Sequence, residues 1–180
     1  LGEYTSLAAS KIVSIEECSK LLKIRSELMQ NAYEPNKSGM AAVIGLNCKK
    51  VQEIIDDNNF SIEVANDNSP SQVVISGITS ELIESQHIFK EAGIKKFILL
   101  NVSAAFHSRL MKNAENNLCK YINKTNFNES KISIISNYSG IMSNNINEIV
   151  HNLSHQMSNR VRWVESINTL INTSHKKIIE

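Results

Sequence analysis

Between Met40 and Val102 the hydrophobic rhythm of the chain switches repeatedly between a period of two and a helical period. A chain that alternates in this way must build a sheet and cover it with helices. "MAAVIGL" is a short apolar run that reads as a strand. "NCKKVQEIIDDN" has helical spacing, and "SIEVAN" alternates. "DNSP" predicts a turn, because Asp, Asn and Pro each favour one. "QVVISG" reads as a strand. "TSELIESQHIFKEAG" opens on a Thr/Ser pair expected to cap a helix and closes on Gly93, and "KKFILLNV" is a further strand. The order is β-α-β-β-α-β, the split ferredoxin-like arrangement. The spacing therefore predicts a ferredoxin-like small subdomain over residues 40–102.

Segments of a different character flank it, so the subdomain reads as an insertion. Residues 1–33 predict two helices, "LGEYTSLAASK" and "SIEECSKLLKIRSELMQNAY". In the second, Ser14 and Glu17 have capping-box spacing, and Ile15, Cys18, Leu21, Leu22, Leu28 and Met29 recur near the helical period. Pro35 and Gly39 then break the pattern. After the insertion come a helix over about 107–124, a strand at 131–137, a loop with Gly140, helices around 147–158 and 162–172, and a strand at "KKIIE". Strands alternating with helices predict a mostly parallel α/β core formed by 1–39 and 103–180. The chain opens on Leu1 and stops directly after an apolar run, which reads as a piece cut at both ends.

Net charge is +1 with acidic and basic residues interspersed, which argues against nucleic acid or an anionic membrane as partner. No apolar run approaches the roughly 20 residues of a membrane-spanning helix. The three cysteines, Cys18, Cys48 and Cys119, are scattered and fit reduced thiols in a cytosol-like compartment.

Several residues have candidate chemistry, each with a plainer alternative. Leu1-Gly2 could be the "x-Gly" of a Gly-x-Ser-x-Gly nucleophile elbow whose serine precedes Leu1, or simply a helix start. In the former case the Leu1 N–H is suited to an oxyanion. Arg25 lies beside an apolar helix face. Such an arginine ordinarily extends its head into water, but over a cleft it grips a carboxylate with two parallel hydrogen bonds. His107 follows a strand and precedes a helix, where α/β folds place catalytic groups; it reads as a base or as a surface histidine. Gln156 is a solvated glutamine, or supplies the carbonyl that holds a catalytic imidazole in its tautomer. His151 and His155 are spaced i, i+4, but no zinc motif surrounds them, and a solvated face is the reading adopted. His87 and His175 carry no signal.

The stretches "LGEYTSLAAS", "IRSELMQ", "GMAAVIGL", "VANDNSPSQVVISG", "VSAAFHSRLM" and "LSHQMSNRVRWVESI" occur in an order and spacing that resembles one family over nearly the whole chain. That family is the malonyl-CoA:acyl carrier protein transacylases and, more distantly, polyketide synthase acyltransferase domains. The resemblance implies an α/β-hydrolase-like acyltransferase core, here incomplete, with the ferredoxin-like subdomain inserted. It implies malonyl transfer to the phosphopantetheine thiol of acyl carrier protein in fatty acid biosynthesis, through an acyl-serine and without a cofactor. The family motif Gly-His-Ser-Leu-Gly-Glu-Tyr puts the nucleophilic serine immediately before Leu1, so the 180 residues alone are expected to lack activity and to fold poorly.

Carried over by position, His107 resembles the catalytic base, Gln156 the residue whose carbonyl orients it, and Leu1 an oxyanion donor. Arg25 resembles the residue that binds the malonyl carboxylate, and Met29, Val102 and Phe106 the lining of the acyl pocket. "AFHS" at 105–108 is similar to the His-Ala-Phe-His pattern of malonyl-selective members, although Ala104 replaces that pattern's first histidine. Malonyl-CoA and acyl carrier protein are the implied partners, with a monomer in the cytoplasm or an organelle stroma or matrix as the implied state. The competing readings are a polyketide-type acyltransferase domain, a serine hydrolase or thioesterase using the same elbow, and a non-catalytic binding module.

Overall fold

The computed structural model describes residues 2–174; Leu1, His175 and the strand expected at "KKIIE" lie outside the described residues. The chain begins with helices α1 (Gly2–Ala9) and α2 (Ile15–Gln30). Ser14 caps α2, its side chain accepting from the Glu17 N–H at 3.2 Å. Glu17 pairs with Lys20, so only one arm of the capping box forms. Next come β1 (Ser38–Ile44), α3 (Cys48–Asp57), β2 (Glu63–Ser69), β3 (Gln72–Ile78), α4 (Thr79–Glu91) and β4 (Lys96–Leu99).

These strands form one sheet in the order β2-β3-β1-β4, every pair antiparallel. The period of two is visible in the packing. Ala41 and Val43 of β1 and Val73 and Ile75 of β3 turn to one face, where α3 and α4 cover them with Val51, Ile54, Leu82 and Phe89. Met40, Ala42, Ala65 and Val74 turn to the other face, toward Leu100, Val102 and Phe106. A strand buried on both faces must be apolar throughout, which is why "MAAVIGL" reads as an unbroken run.

The rest of the chain packs around a separate core that includes Tyr4, Leu7, Leu21, Met111, Leu118, Ile149 and Met157. Its elements are a 3-10 turn at Arg109–Met111, α5 (Lys112–Ile122), β5 (Ile134–Ile135), β6 (Met142–Ser143), α6 (Ile146–Ser154) and α7 (Trp163–Ile171).

Four expectations change. The mostly parallel core does not appear among the described residues: both sheets are antiparallel, and the parallel contact is an isolated bridge from Asn66 to Val161. Strand direction depends on which edges meet, and the alternation of elements does not encode that. The strand at 131–137 shrinks to Ile134–Ile135, which pair with Met142–Ser143. Asp67, Asn68 and Ser69 belong to β2 rather than to a turn; their backbone continues the ladder with β3 through two register shifts, and only 70–71 turn. The helix α4 starts without a side-chain cap from Thr79 or Ser80; instead the Thr79 N–H donates to the Lys37 carbonyl at 3.0 Å.

Candidate functional site

The second face of the sheet and one side of α2 enclose a cavity of about 590 Å³. Met40, Val74 and Leu100 contribute from the sheet side, Arg25, Ser26 and Met29 from α2, and Phe106 and His107 from the segment after β4. Arg25, Met29, Phe106 and His107, far apart in sequence, thus meet in one place. Val102 does not join them. Its side chain packs, with Leu100 and Phe106, against the cluster of Met40, Ala42, Ala65 and Val74 and is absent from the cavity lining. Leu100 takes the position in the lining. Leu1 lies outside the described residues.

The backbone at His107 is left-handed, with φ of 58°, a conformation uncommon outside glycine, although Asn, Asp and His adopt it more often than other L residues. The neighbouring residues over-determine it. Ser108 Oγ donates to the Ala105 carbonyl at 2.7 Å and accepts from the Leu110 N–H. Ala105 N–H reaches Ser38 Oγ at 3.2 Å. Arg109 is held from β2: its N–H donates to Glu63 Oε2 at 2.9 Å, Nη1 to Glu63 Oε1 at 3.0 Å and Nη2 to the Ser61 carbonyl at 3.1 Å.

The half-buried His107 ring lies 3.1 Å by Nδ1 from the main-chain carbonyl of Gln156 and 3.1 Å from that of Asn159. Two acceptors and no donor at Nδ1 require it to carry the proton, which leaves Nε2 as the basic nitrogen. Burial holds the imidazole well below its ordinary value, at about 4, against the two carbonyls and with the Arg25 charge adding to the lowering. The ring is therefore neutral near pH 7 and able to take a proton. The loop that offers the carbonyls is itself fastened: Ser158 N–H donates to the buried Glu115 carboxylate at 2.9 Å. Val161 exchanges main-chain hydrogen bonds with β2 at Ala65 and Asp67.

Gln156 is 2% exposed, not solvated. Its side chain bonds Arg25, with Oε1 accepting from Nη2 at 3.2 Å. The Arg25 guanidinium lies 5.6 Å from the Tyr4 ring centroid, a cation–π contact, and burial lowers its pKa. Among the described residues no carboxylate pairs with Arg25 within ion-pair distance. A half-buried cation without a paired anion, at the wall of a cavity, is suited to a ligand carboxylate. On the other side of His107 a second cavity of about 430 Å³ reaches Gly2 and Glu3 of α1 and the exposed Trp163.

Asn159, Glu3 and Asn66 were missed in the sequence. Asn159 acts through a main-chain oxygen, which any residue type could offer. Asn66 lines both cavities from β2, and its register follows a bulge that the pattern hides. Glu3 sits in the motif-bearing first helix and was legible only as part of the family stretch. His151 and His155 stack at 4.4 Å between ring centroids beside Tyr138, and His155 Nδ1 is 2.7 Å from the His151 carbonyl. Among the described residues no group of three or more metal-ligating side chains gathers.

The family model described as an acyl transferase domain matches residues 1–180. A malonyl CoA-acyl carrier protein transacylase of Staphylococcus aureus is 34% identical over 186 residues, covering 100% of this chain and 59% of that protein. A polyketide biosynthesis protein, ThaF, of Burkholderia thailandensis is 36% identical over 171 residues, 94% of this chain and 14% of that much longer protein. The crystal structure of an acyl-carrier-protein-S-malonyltransferase from Bartonella henselae superposes with a TM-score of 0.91 at 35% identity, over 96% of this chain and 56% of that one. The chain thus spans little more than half of these two transferases.

Proposed function

The chain belongs to the acyl transferase domain family, and from that premise we propose that it forms the base-bearing and acyl-gripping part of a malonyl-CoA:acyl carrier protein transacylase. The observation that carries this reading is the pairing of a neutral, oriented His107 with an anion-free Arg25 across one cavity. The nucleophile is the serine that the family motif puts before Leu1, with the Leu1 N–H as an oxyanion donor. His107 Nε2 takes the serine proton as the oxygen attacks the thioester carbon. The carbonyls of Gln156 and Asn159 stabilise the imidazolium that forms. The C–S bond breaks and the thiolate of CoA leaves with that proton. Arg25 then holds the free carboxylate of the malonyl-serine until the phosphopantetheine thiol of acyl carrier protein attacks and the same proton traffic returns the serine.

Met29 and Phe106 form the acyl wall on this reading, and Phe106 disfavours an α-methyl group by about 1–3 kcal/mol. Residues 40–102 act as an inserted ferredoxin-like subdomain on a large acyltransferase subdomain of 1–39 and 103–180. The sheet order β2-β3-β1-β4 and the separation of the two buried cores support that division. The enzyme is read as a cytoplasmic monomer of fatty acid synthesis. Identity to the Burkholderia polyketide protein favours a second reading, the same transfer within polyketide synthesis. Preference between carrier proteins of the two pathways separates them.

The test is Arg25→Ala in the full-length protein. Losing charge-assisted hydrogen bonds to a carboxylate lowers malonyl loading about 10- to 100-fold and shifts preference toward neutral acyl groups. Unchanged malonyl transfer removes Arg25 from the site, and thioester hydrolysis outrunning carrier-protein acylation replaces the transferase with a hydrolase.

A further inference from the structure

Glu3 is 4% exposed, and among the described residues no cation pairs with it within ion-pair distance. A buried carboxylate without a cation is costly to keep, so its contacts indicate its use. One oxygen, Oε2, accepts from Gln156 Nε2 at 3.1 Å, from Asn137 Nδ2 at 3.1 Å and from the Asn137 N–H at 3.4 Å. The other, Oε1, is buried without a hydrogen-bond partner. Burial raises the carboxyl pKa, against the hydrogen bonds from Gln156, Asn137 and the Ser136 side chain.

The two ends of an amide have nearly the same shape, and only their partners decide which way it points. Glu3 as a carboxylate can only accept, so it draws the NH₂ end of Gln156 toward itself. That leaves Oε1 of Gln156 toward Arg25 Nη2, at 3.2 Å. The reverse orientation would set an NH₂ group against a guanidinium, donor to donor, and face two oxygens at Glu3.

We propose that Glu3 is a positioning residue for Arg25: its buried carboxylate fixes the orientation of the Gln156 amide, and the amide carbonyl aims the guanidinium into the acyl cavity. The relay also puts a negative charge beyond the amide, polarising its carbonyl toward the cation. This inference rests on the reading of Arg25 as the carboxylate grip.

The experiment compares malonyl with acetyl loading in the full-length protein carrying Glu3→Leu, Glu3→Asp, Glu3→Gln or Arg25→Ala. Leucine removes the acceptor, and aspartate withdraws it by one methylene. Each is expected to lower the malonyl-to-acetyl ratio, about tenfold for leucine. Glutamine can present its own oxygen at the Oε2 position, and the ratio is expected to recover to within about threefold of wild type. A ratio that stays at the wild-type value in Glu3→Leu and Glu3→Asp, whether or not total activity falls, makes Glu3 merely structural and overturns the proposal. If Glu3→Leu does not fold, Glu3→Asp decides it alone. Arg25→Ala separates the two readings. A selective malonyl loss there with no such loss in the Glu3 variants sinks this inference only, whereas no loss in Arg25→Ala sinks the grip as well.

Discussion

Lowering the pH should destabilise the folded protein through His107 in particular, and the size follows from its surroundings. The ring is half-buried, and its pKa falls from the ordinary 6.5 to about 4, chiefly by burial. The unfolded chain therefore binds more protons than the folded one between these values. The stability that a neutral His107 preserves is complete above about pH 6.5 and is lost as the pH falls toward 4. The full separation corresponds to about 3.4 kcal/mol, of which about 2.6 has been lost at about pH 4.5. The ring keeps some contact with solvent, so about 2 kcal/mol is the expected effect. The reference is His107→Asn, which does not titrate and tolerates the left-handed backbone. Urea unfolding of the full-length protein and the variant, at about pH 7.5 and about pH 4.5, gives the change for each. All other titrating groups contribute equally, so the wild type should lose about 2 kcal/mol more than the variant. Equal losses would mean that His107 titrates as a surface histidine, and the argument for a neutral, poised base would fail with it.

Two further substitutions test the frame around the site. A Cβ at Gly77 would meet Ile62 Cγ2 at 2.7 Å and Ile62 Cα at 3.1 Å. Gly77→Ala is therefore expected to cost about 1–3 kcal/mol in a thermal melt, and an unchanged Tm would refute the close approach. Asn145 caps α6 by accepting from the N–H groups of Asn147 and Glu148 at 2.9 and 3.2 Å. Asn145→Ala should cost about 1 kcal/mol and speed hydrogen exchange in the first turn of α6, with unaltered exchange as the contrary result.

The helices were legible from their apolar spacing, with recognisable ends at Ser14 before α2 and Gly93 after α4. The strands β1 and β3 were legible because two-sided burial requires apolar runs. Asp67, Asn68 and Ser69 were misread because turn-forming side chains here sit on a bulged ladder, and backbone pairing with β3 outweighs their local preference. Of the site, His107 and Arg25 could be singled out by residue type and position. Gln156 was named as a carbonyl for the imidazole, but Asn159 was not, since a main-chain oxygen leaves no mark in a sequence. Glu3 was hidden for a different reason. An acidic residue in a first helical turn has an ordinary explanation in the helix dipole, and only the fold brings Gln156 to its carboxylate, 153 residues away in sequence.

The bridge from Asn66 to Val161 has a consequence for assembly as well as for the loop it fastens. A sheet's outer strands offer unpaired groups on which other chains can template. On β2 those groups are engaged by Val161, and two register shifts bend the strand away from regular pairing. That leaves β4 as the open edge among the described residues, with Ile98 and Leu99 exposed on it and Lys95 and Lys96 at its start. Concentrated solutions of this protein should therefore begin any strand-to-strand association at β4, where those two lysines supply the repulsion that keeps copies apart.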